Sequence, residues 1–214
     1  MAGVDVAALQ RWLRTFATSV ADQKDDLTAL DAAIGDADHG ANMQRGMTAV
    51  VDALATPAAD PAALLKQTGM VLIRSVGGAS GPLYGTLFLR MASATGGEAT
   101  LEPETFAKAL RAGVEGVVSR GKAELGDKTM IDALAPALDA LDAALGAGEP
   151  LAAALRAAST AADAGRDATT PMTARKGRAS YLGERSAGHQ DPGATSAALL
   201  VAAAATALEE QGTP

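Results

Sequence analysis

The chain has 214 residues, 48% of them hydrophobic and only 3% aromatic, with a net charge of -7 and no cysteine. That length can bury a sizeable core in one domain, and the missing cysteines exclude disulfides and thiolate zinc sites. The acidic balance excludes a general attraction to nucleic acid or anionic membrane, while an alanine-rich, aromatic-poor composition favours closely packed helices over a sandwich of large side chains.

The opening segment MAGVDVAALQRW carries an acid and no basic stretch, so no secretory signal is expected and a cytoplasmic location is. Residues 6–22 place Leu9, Leu13, Phe16 and Val20 at three- and four-residue steps, which predicts an amphipathic helix with Trp12 in the core. Further helices are predicted over 27–34, 42–54, 61–76, 82–94, 103–120, 129–145, 151–166 and 192–210. Several open on a proline, whose missing N–H costs nothing in a first helical turn. Residues 197–208 are the most apolar tract, but a membrane span takes about 20 apolar residues, so the tract reads as a buried helix. The expected fold is all-α, a single domain over 1–214 built as an up-and-down antiparallel helical bundle.

The connections fall into two alternating kinds. Residues 56–60 (TPAAD), 95–102 (TGGEATLE) and 146–150 (GAGEP) hold ordinary stop and start signals. Residues 35–41 (GDADHGA), 77–81 (GGASG), 121–128 (GKAELGDK) and the long run 167–191 do not. In an up-and-down bundle every second connection shares one end, so these four are predicted to meet there and form one site.

The first of them lies within LDAAIGDADHGANMQR. Asp31, Asp36 and Asp38 are acceptor-only groups that would repel one another unless a cation sat between them, and oxygen-only ligation selects Mg²⁺, Mn²⁺ or Ca²⁺. No register fits a calcium-binding EF-hand, because the required glycine and closing glutamate fall on the wrong positions from either Asp31 or Asp36. With a helix predicted from Asn42, the amides of His39, Gly40, Ala41 and Asn42 are expected to be unpaired donors at its start, where phosphate is attracted. Read alone, the same aspartates serve equally as helix caps and turn residues.

Gly77, Gly78 and Gly81 surround Ser80 ahead of Pro82, a turn feeding a helix start that suits either phosphate or a plain C-cap. GVVSRGKA at Gly116 imitates a nucleotide-binding P-loop, but Ala123 stands where the metal-binding hydroxyl belongs and no strand precedes it. Asp127 is expected to cap the helix that begins at Thr129, with Met130 and Leu134 forming an apolar wall. The run after residue 167 exceeds the usual loop length and concentrates Arg175, Lys176, Arg178 and Arg185. Arg178 is the one expected to fork onto phosphate.

Taken together and in this order, GDADHGANMQRG, GGASGPLYGT, GDKTMIDAL and GRASYLGERSAGHQDPGATS resemble the nucleotide-binding L subunit of bacterial dihydroxyacetone kinase over nearly the whole chain. The resemblance implies an eight-helix barrel that holds ADP or ATP with two Mg²⁺ ions at one end. It implies that Asp31, Asp36 and Asp38 ligate the metals and that His39, Gly40, Ala41, Asn42, Ala79 and Ser80 contact phosphates. It further implies that Gly121 and Met130 bound the base, that Arg178 reaches the phosphates, and that Asp191, Pro192 and Gly193 line the pocket. GDADHG is more similar to the separate-subunit branch than to the GDGDCG of fused, ATP-dependent relatives. That branch implies two partners: a dihydroxyacetone-binding subunit, and a phosphohistidine subunit of the phosphotransferase system that rephosphorylates the bound ADP. A transcriptional regulator as a further partner and a homodimer are left open, as are two other readings, an ATP-dependent kinase for another ketose and a nucleotide-dependent regulator. No catalytic base is identified on the chain. His39 as a covalent phosphoryl carrier is disfavoured, since a metal-bound nucleotide makes it unnecessary.

Overall fold

Helix α1 (Val6–Asp22) opens where Asp5 accepts the Ala8 amide at 2.8 Å, the bond that makes aspartate a good N-cap. Its stripe of Leu9, Trp12, Leu13, Phe16 and Val20 is buried, as the spacing predicts. The Trp12 indole donates to the Leu200 carbonyl at 2.9 Å, and its ring lies 5.7 Å from those of both Phe88 and Phe106. One tryptophan thus ties the first helix to the last and to two between them. The structure, a computed structural model, describes residues 3–209; the predicted end of the last helix at residue 210 lies outside them.

The remaining helices are α2 (Lys24–Ile34), α3 (His39–Ala53), α4 (Pro61–Ser75), α5 (Ser80–Ala94), α6 (Pro103–Gly121), α7 (Ile131–Gly146), α8 (Leu151–Ala168) and α9 (Pro192–Glu209). Each prediction has its helix, with starts displaced by up to three residues. A 3₁₀ helix, Arg178–Ser186, occupies the middle of the long run expected as loop. Two-residue strands β1 (Val4–Asp5) and β2 (Thr100–Leu101) pair antiparallel, Val4 with Leu101 and Asp5 with Thr100. They were not predicted, because two residues carry no alternation to read.

Helix α1 packs on α3, then α3 on α4, and so on in sequence order through α8 on α9, and α9 packs back on α1; α2 lies against α3 and α9. Small residues permit the close approaches. A Cβ on Gly69 would stand 2.8 Å from the Gly85 carbonyl oxygen of the neighbouring helix, so α4 and α5 touch backbone to backbone. Helix α9 is apolar and long enough to pass for a membrane span, yet it is buried against α1, α2, α7 and α8.

Candidate functional site

The turn from α2 to α3 is built around Asp31, which sits in the last turn of α2 and is 8% exposed. Its Oδ2 accepts the Asp38 amide at 2.8 Å and the His39 amide at 3.1 Å. A side chain on Gly35 would collide with the Asp31 carboxylate, so only glycine leaves the acid in this pose. Ala37 takes φ 61, a left-handed conformation that costs a non-glycine residue about 1–2 kcal/mol. The turn brings one oxygen of each of Asp31, Asp36 and Asp38 within 4.8 Å of the others. Three converging acceptor-only carboxylates fit a hard divalent cation.

Helix α3 begins at His39, three residues before its predicted start. Gly40, which by sequence falls in the connection 35–41, is buried against α2, where a Cβ would meet the Lys24 carbonyl and the Thr28 hydroxyl. The earlier start corrects the expected set of unpaired amides. The His39 amide is taken by Asp31 and the Asn42 amide donates to the Asp38 carbonyl at 2.8 Å, which leaves those of Gly40 and Ala41. Asn42 accepts from the Arg45 guanidinium at 2.6 Å, and its side chain packs against Gly77. It shapes the neighbouring glycine turn and, like Gly40 and Ala41, does not line the cleft.

The His39 ring joins three helices. Its Nε2 lies 2.9 Å from Ser196 Oγ and its Nδ1 3.2 Å from Ser80 Oγ, while the Tyr84 hydroxyl lies 2.7 Å from Ser196 Oγ. Ser196 donates its single hydrogen to the Gly193 carbonyl at 3.1 Å. Every group is then satisfied when Tyr84 and His39 Nε2 donate to Ser196 and Ser80 donates to Nδ1. Burial lowers the His39 pKa against the raising pull of Asp31, Asp38 and the Pro192 backbone, which favours the neutral ring. With both ring nitrogens engaged, neither is left to carry a phosphoryl group.

Two hollows adjoin here, of about 180 Å³ and about 470 Å³, sharing Asp31, His39, Ala79, Ser80, Gly177 and Arg178. The smaller is walled by Ile34, Leu83 and Met130, with Lys128, Thr129, Asp191, Pro192 and Gly193. The larger adds Asp36, Asp38, Gly77, Gly78 and Tyr181. Residues from all four unusual connections therefore border one cleft. Gly121, expected beside the base, ends α6 and does not line the cleft; it backs Leu83, to which a Cβ would come within 3.3 Å. Arg178 opens the 3₁₀ helix and pairs with Asp36 at 3.0 Å on the exposed side of the acids.

Asp127 does not cap α7. It accepts the Glu124 amide within its own loop at 2.8 Å, and Asp132 instead accepts the Gly126 and Thr129 amides at 2.5 and 2.7 Å. Asp191 accepts the Ala194 amide at 2.7 Å at the start of α9. Burial pushes its carboxyl up to about 7, against the pull of that amide and of Lys128.

A profile of the DAK2 domain matches residues 33–206. The chain belongs to the DAK2 domain family. It is 48% identical over 200 residues, 93% of this chain and 95% of the relative, to the ADP-binding subunit DhaL of the PEP-dependent dihydroxyacetone kinase of Escherichia coli K12. It is 45% identical over 191 residues, 89% of this chain and 90% of the relative, to the corresponding subunit of dihydroxyacetone kinase 1 of Listeria innocua. Among solved structures it is similar to the dihydroxyacetone kinase from C. freundii in complex with AMP-PNP and Mg²⁺, with TM-score 0.73 and 28% identity, covering 96% of this chain and 35% of that one. These relatives are kinases or kinase subunits, and so phosphotransferases.

In this DAK2 domain the residues that sequence reasoning missed are those that hold the cleft together. Asp132, Ser196 and Tyr84 each sit within a helix and look like part of its ordinary surface or core. Lys128, in the connection 121–128, is 1% exposed. The available signal was its place beside Asp127 and Thr129 in the motif GDKTM.

Proposed function

We propose that this chain is the ADP-binding subunit of a phosphoenolpyruvate-dependent dihydroxyacetone kinase acting in the cytoplasm. In this reading the bound nucleotide receives a phosphoryl group from a phosphohistidine subunit and passes it to dihydroxyacetone held by a partner subunit. The observation that carries the reading is the convergence of three carboxylates within 4.8 Å at the mouth of a cleft whose other half is largely apolar. The 48% identity to the PEP-dependent E. coli subunit supports it, the donor included.

Asp31, Asp36 and Asp38 would hold two Mg²⁺ ions. Such ions, when bound, neutralise phosphate charge and fix the phosphate oxygens. Ala79 and Ser80, with the His39 segment, would face the phosphates at the starts of α3 and α5, and Gly40 and Ala41 would stand behind that turn. Asn42 acts one step back, through the Gly77 turn. Arg178 would exchange Asp36 for a phosphate oxygen, adding charge where phosphoryl transfer needs it. Ile34, Leu83 and Met130 would flank the base with Gly121 behind them, and Asp191, Pro192 and Gly193 would close the far wall. The order of helix neighbours supports a barrel of eight helices, α1 and α3 to α9, with α2 outside.

The test is to purify the protein, look for retained ADP by mass spectrometry, and titrate Mg·ADP calorimetrically. Retained ADP or a saturable heat is expected; a nucleotide-free protein with no heat overturns the reading. Reconstitution with the dihydroxyacetone-binding and phosphohistidine subunits should make sugar phosphate from phosphoenolpyruvate. Turnover with free ATP alone would replace the donor assignment.

A further inference from the structure

Lys128 carries a charge that the proposed chemistry does not use. Its side chain is 1% exposed, and its Nζ donates to the carbonyls of Met172, Ser186 and His189 at 3.0, 2.6 and 2.5 Å. No carboxylate among the described residues lies within ion-pair distance of it. Removing an ammonium from water is costly unless its donors are satisfied, and here three carbonyl dipoles take all three N–H bonds. The residue also holds φ 63, a conformation that persists only where the surroundings enforce it.

The three carbonyls lie on the two limbs of one excursion, 172–175 going out and 186–189 coming back, with Gly177 and Arg178 at its tip. The limbs are cross-tied by Ala174 N–H to Ser186 Oγ at 2.8 Å and by Gly188 N–H to the Thr170 carbonyl at 2.8 Å. Arg175 N–H anchors the outgoing limb to the Asp127 carbonyl at 3.1 Å, beside Lys128 in sequence. Apolar packing beneath the tip is slight: Ala174 and Ala179 rest on Ile34 of α2 with Leu182 at the edge. A segment with so little buried carbon depends on its polar ties.

We infer that Lys128 is a positioning residue, a buried point charge that gathers the limbs of the 172–189 excursion and so sets Arg178 over the acid cluster. The inference rests on the proposed role of Arg178 toward a nucleoside diphosphate. A lysine suits the task because an ammonium offers three divergent donors to three carbonyls, where a planar guanidinium does not.

The test uses the full chain with Lys128→Met, and Ser186→Ala as a second variant that loosens the same limbs from the other side while leaving Lys128 in place. Hydrogen exchange without nucleotide should show faster exchange across 172–190 in each variant, with protection elsewhere kept. Mg·ADP affinity should fall roughly tenfold or more for Lys128→Met, the scale of losing hydrogen bonds to a charged group, and less for Ser186→Ala. In an Arg178→Ala background neither substitution should weaken binding much further. Unchanged exchange across 172–190, or a full loss of affinity repeated in the Arg178→Ala background, overturns the assignment. If native protein binds no Mg·ADP, the functional reading fails and the exchange measurement still decides whether Lys128 tethers the excursion.

Discussion

The Asp31 carboxylate accepts the backbone N–H of His39 at 3.1 Å across eight positions of chain. The same oxygen accepts the Asp38 amide, so the acid that is proposed to ligate metal also sets the turn that delivers the other two acids. The two duties separate by substitution. Asp31→Asn keeps an oxygen for both amides and loses the charge; affinity for Mg·ADP is expected to fall about tenfold or more, the scale of losing one contact to a charged group, with little change in Tm. Asp31→Ala also strands two amides and should cost a further 1–3 kcal/mol or so of stability. Calorimetric titration beside thermal melts distinguishes the pair.

Gly40→Ala presses a methyl group into the backbone of α2. Overpacking of this kind costs about 1–3 kcal/mol, which at this chain length lowers Tm by roughly 2–4 °C per kcal/mol. A scan of the variant against native protein, both free of nucleotide, measures it. An unchanged Tm would show that α3 slides to make room.

Ser196 is the hub of the Tyr84, His39 and Gly193 contacts. Ser196→Ala orphans two buried donors and is expected to destabilise by about 2–4 kcal/mol, whereas Tyr84→Phe removes one bond and should cost about 0.5–1.5 kcal/mol. Urea denaturation of both variants gives the ratio. The reverse order would mean that Tyr84 and not Ser196 organises the group.

Asp191 provides a pH signature. Its folded-state pKa stands above the ordinary carboxylate value of 3.8, at about 7, so between those values the folded protein binds a proton that the unfolded chain has released. Its contribution to stability is therefore full below 3.8 and is lost as pH rises towards about 7, the direction that linkage requires. Asp191→Asn keeps an acceptor for the Ala194 amide and should remove this pH dependence. The difference in stability between native protein and variant, plotted against pH from 4 to 8, should shift in favour of the variant as pH rises; a flat difference would sink the assignment.

Much of the helical order was legible because apolar spacing and proline starts are local signals. The gathering of four connections was legible because alternation in a bundle is a topological consequence. What escaped depends on distant partners. Gly40 looked like a turn because its neighbour α2 is not visible from composition, and α3 was accordingly started at Asn42. Asp127 looked like a cap because it precedes Thr129, but Asp132 reaches back to the same amide. Lys128 carries no local signal of its burial because its three acceptors lie 44 to 61 positions further on.

The contact between His39 and Ser196 joins positions 157 apart. During synthesis at roughly 5–20 residues per second, the acids at 31–38 leave the ribosome many seconds before the segment at 191–196 that completes the opposite wall. A nascent chain would therefore carry the acidic turn before the opposite wall of the cleft exists. Loading of ADP at the proposed site would therefore wait until α9 has been translated and has docked.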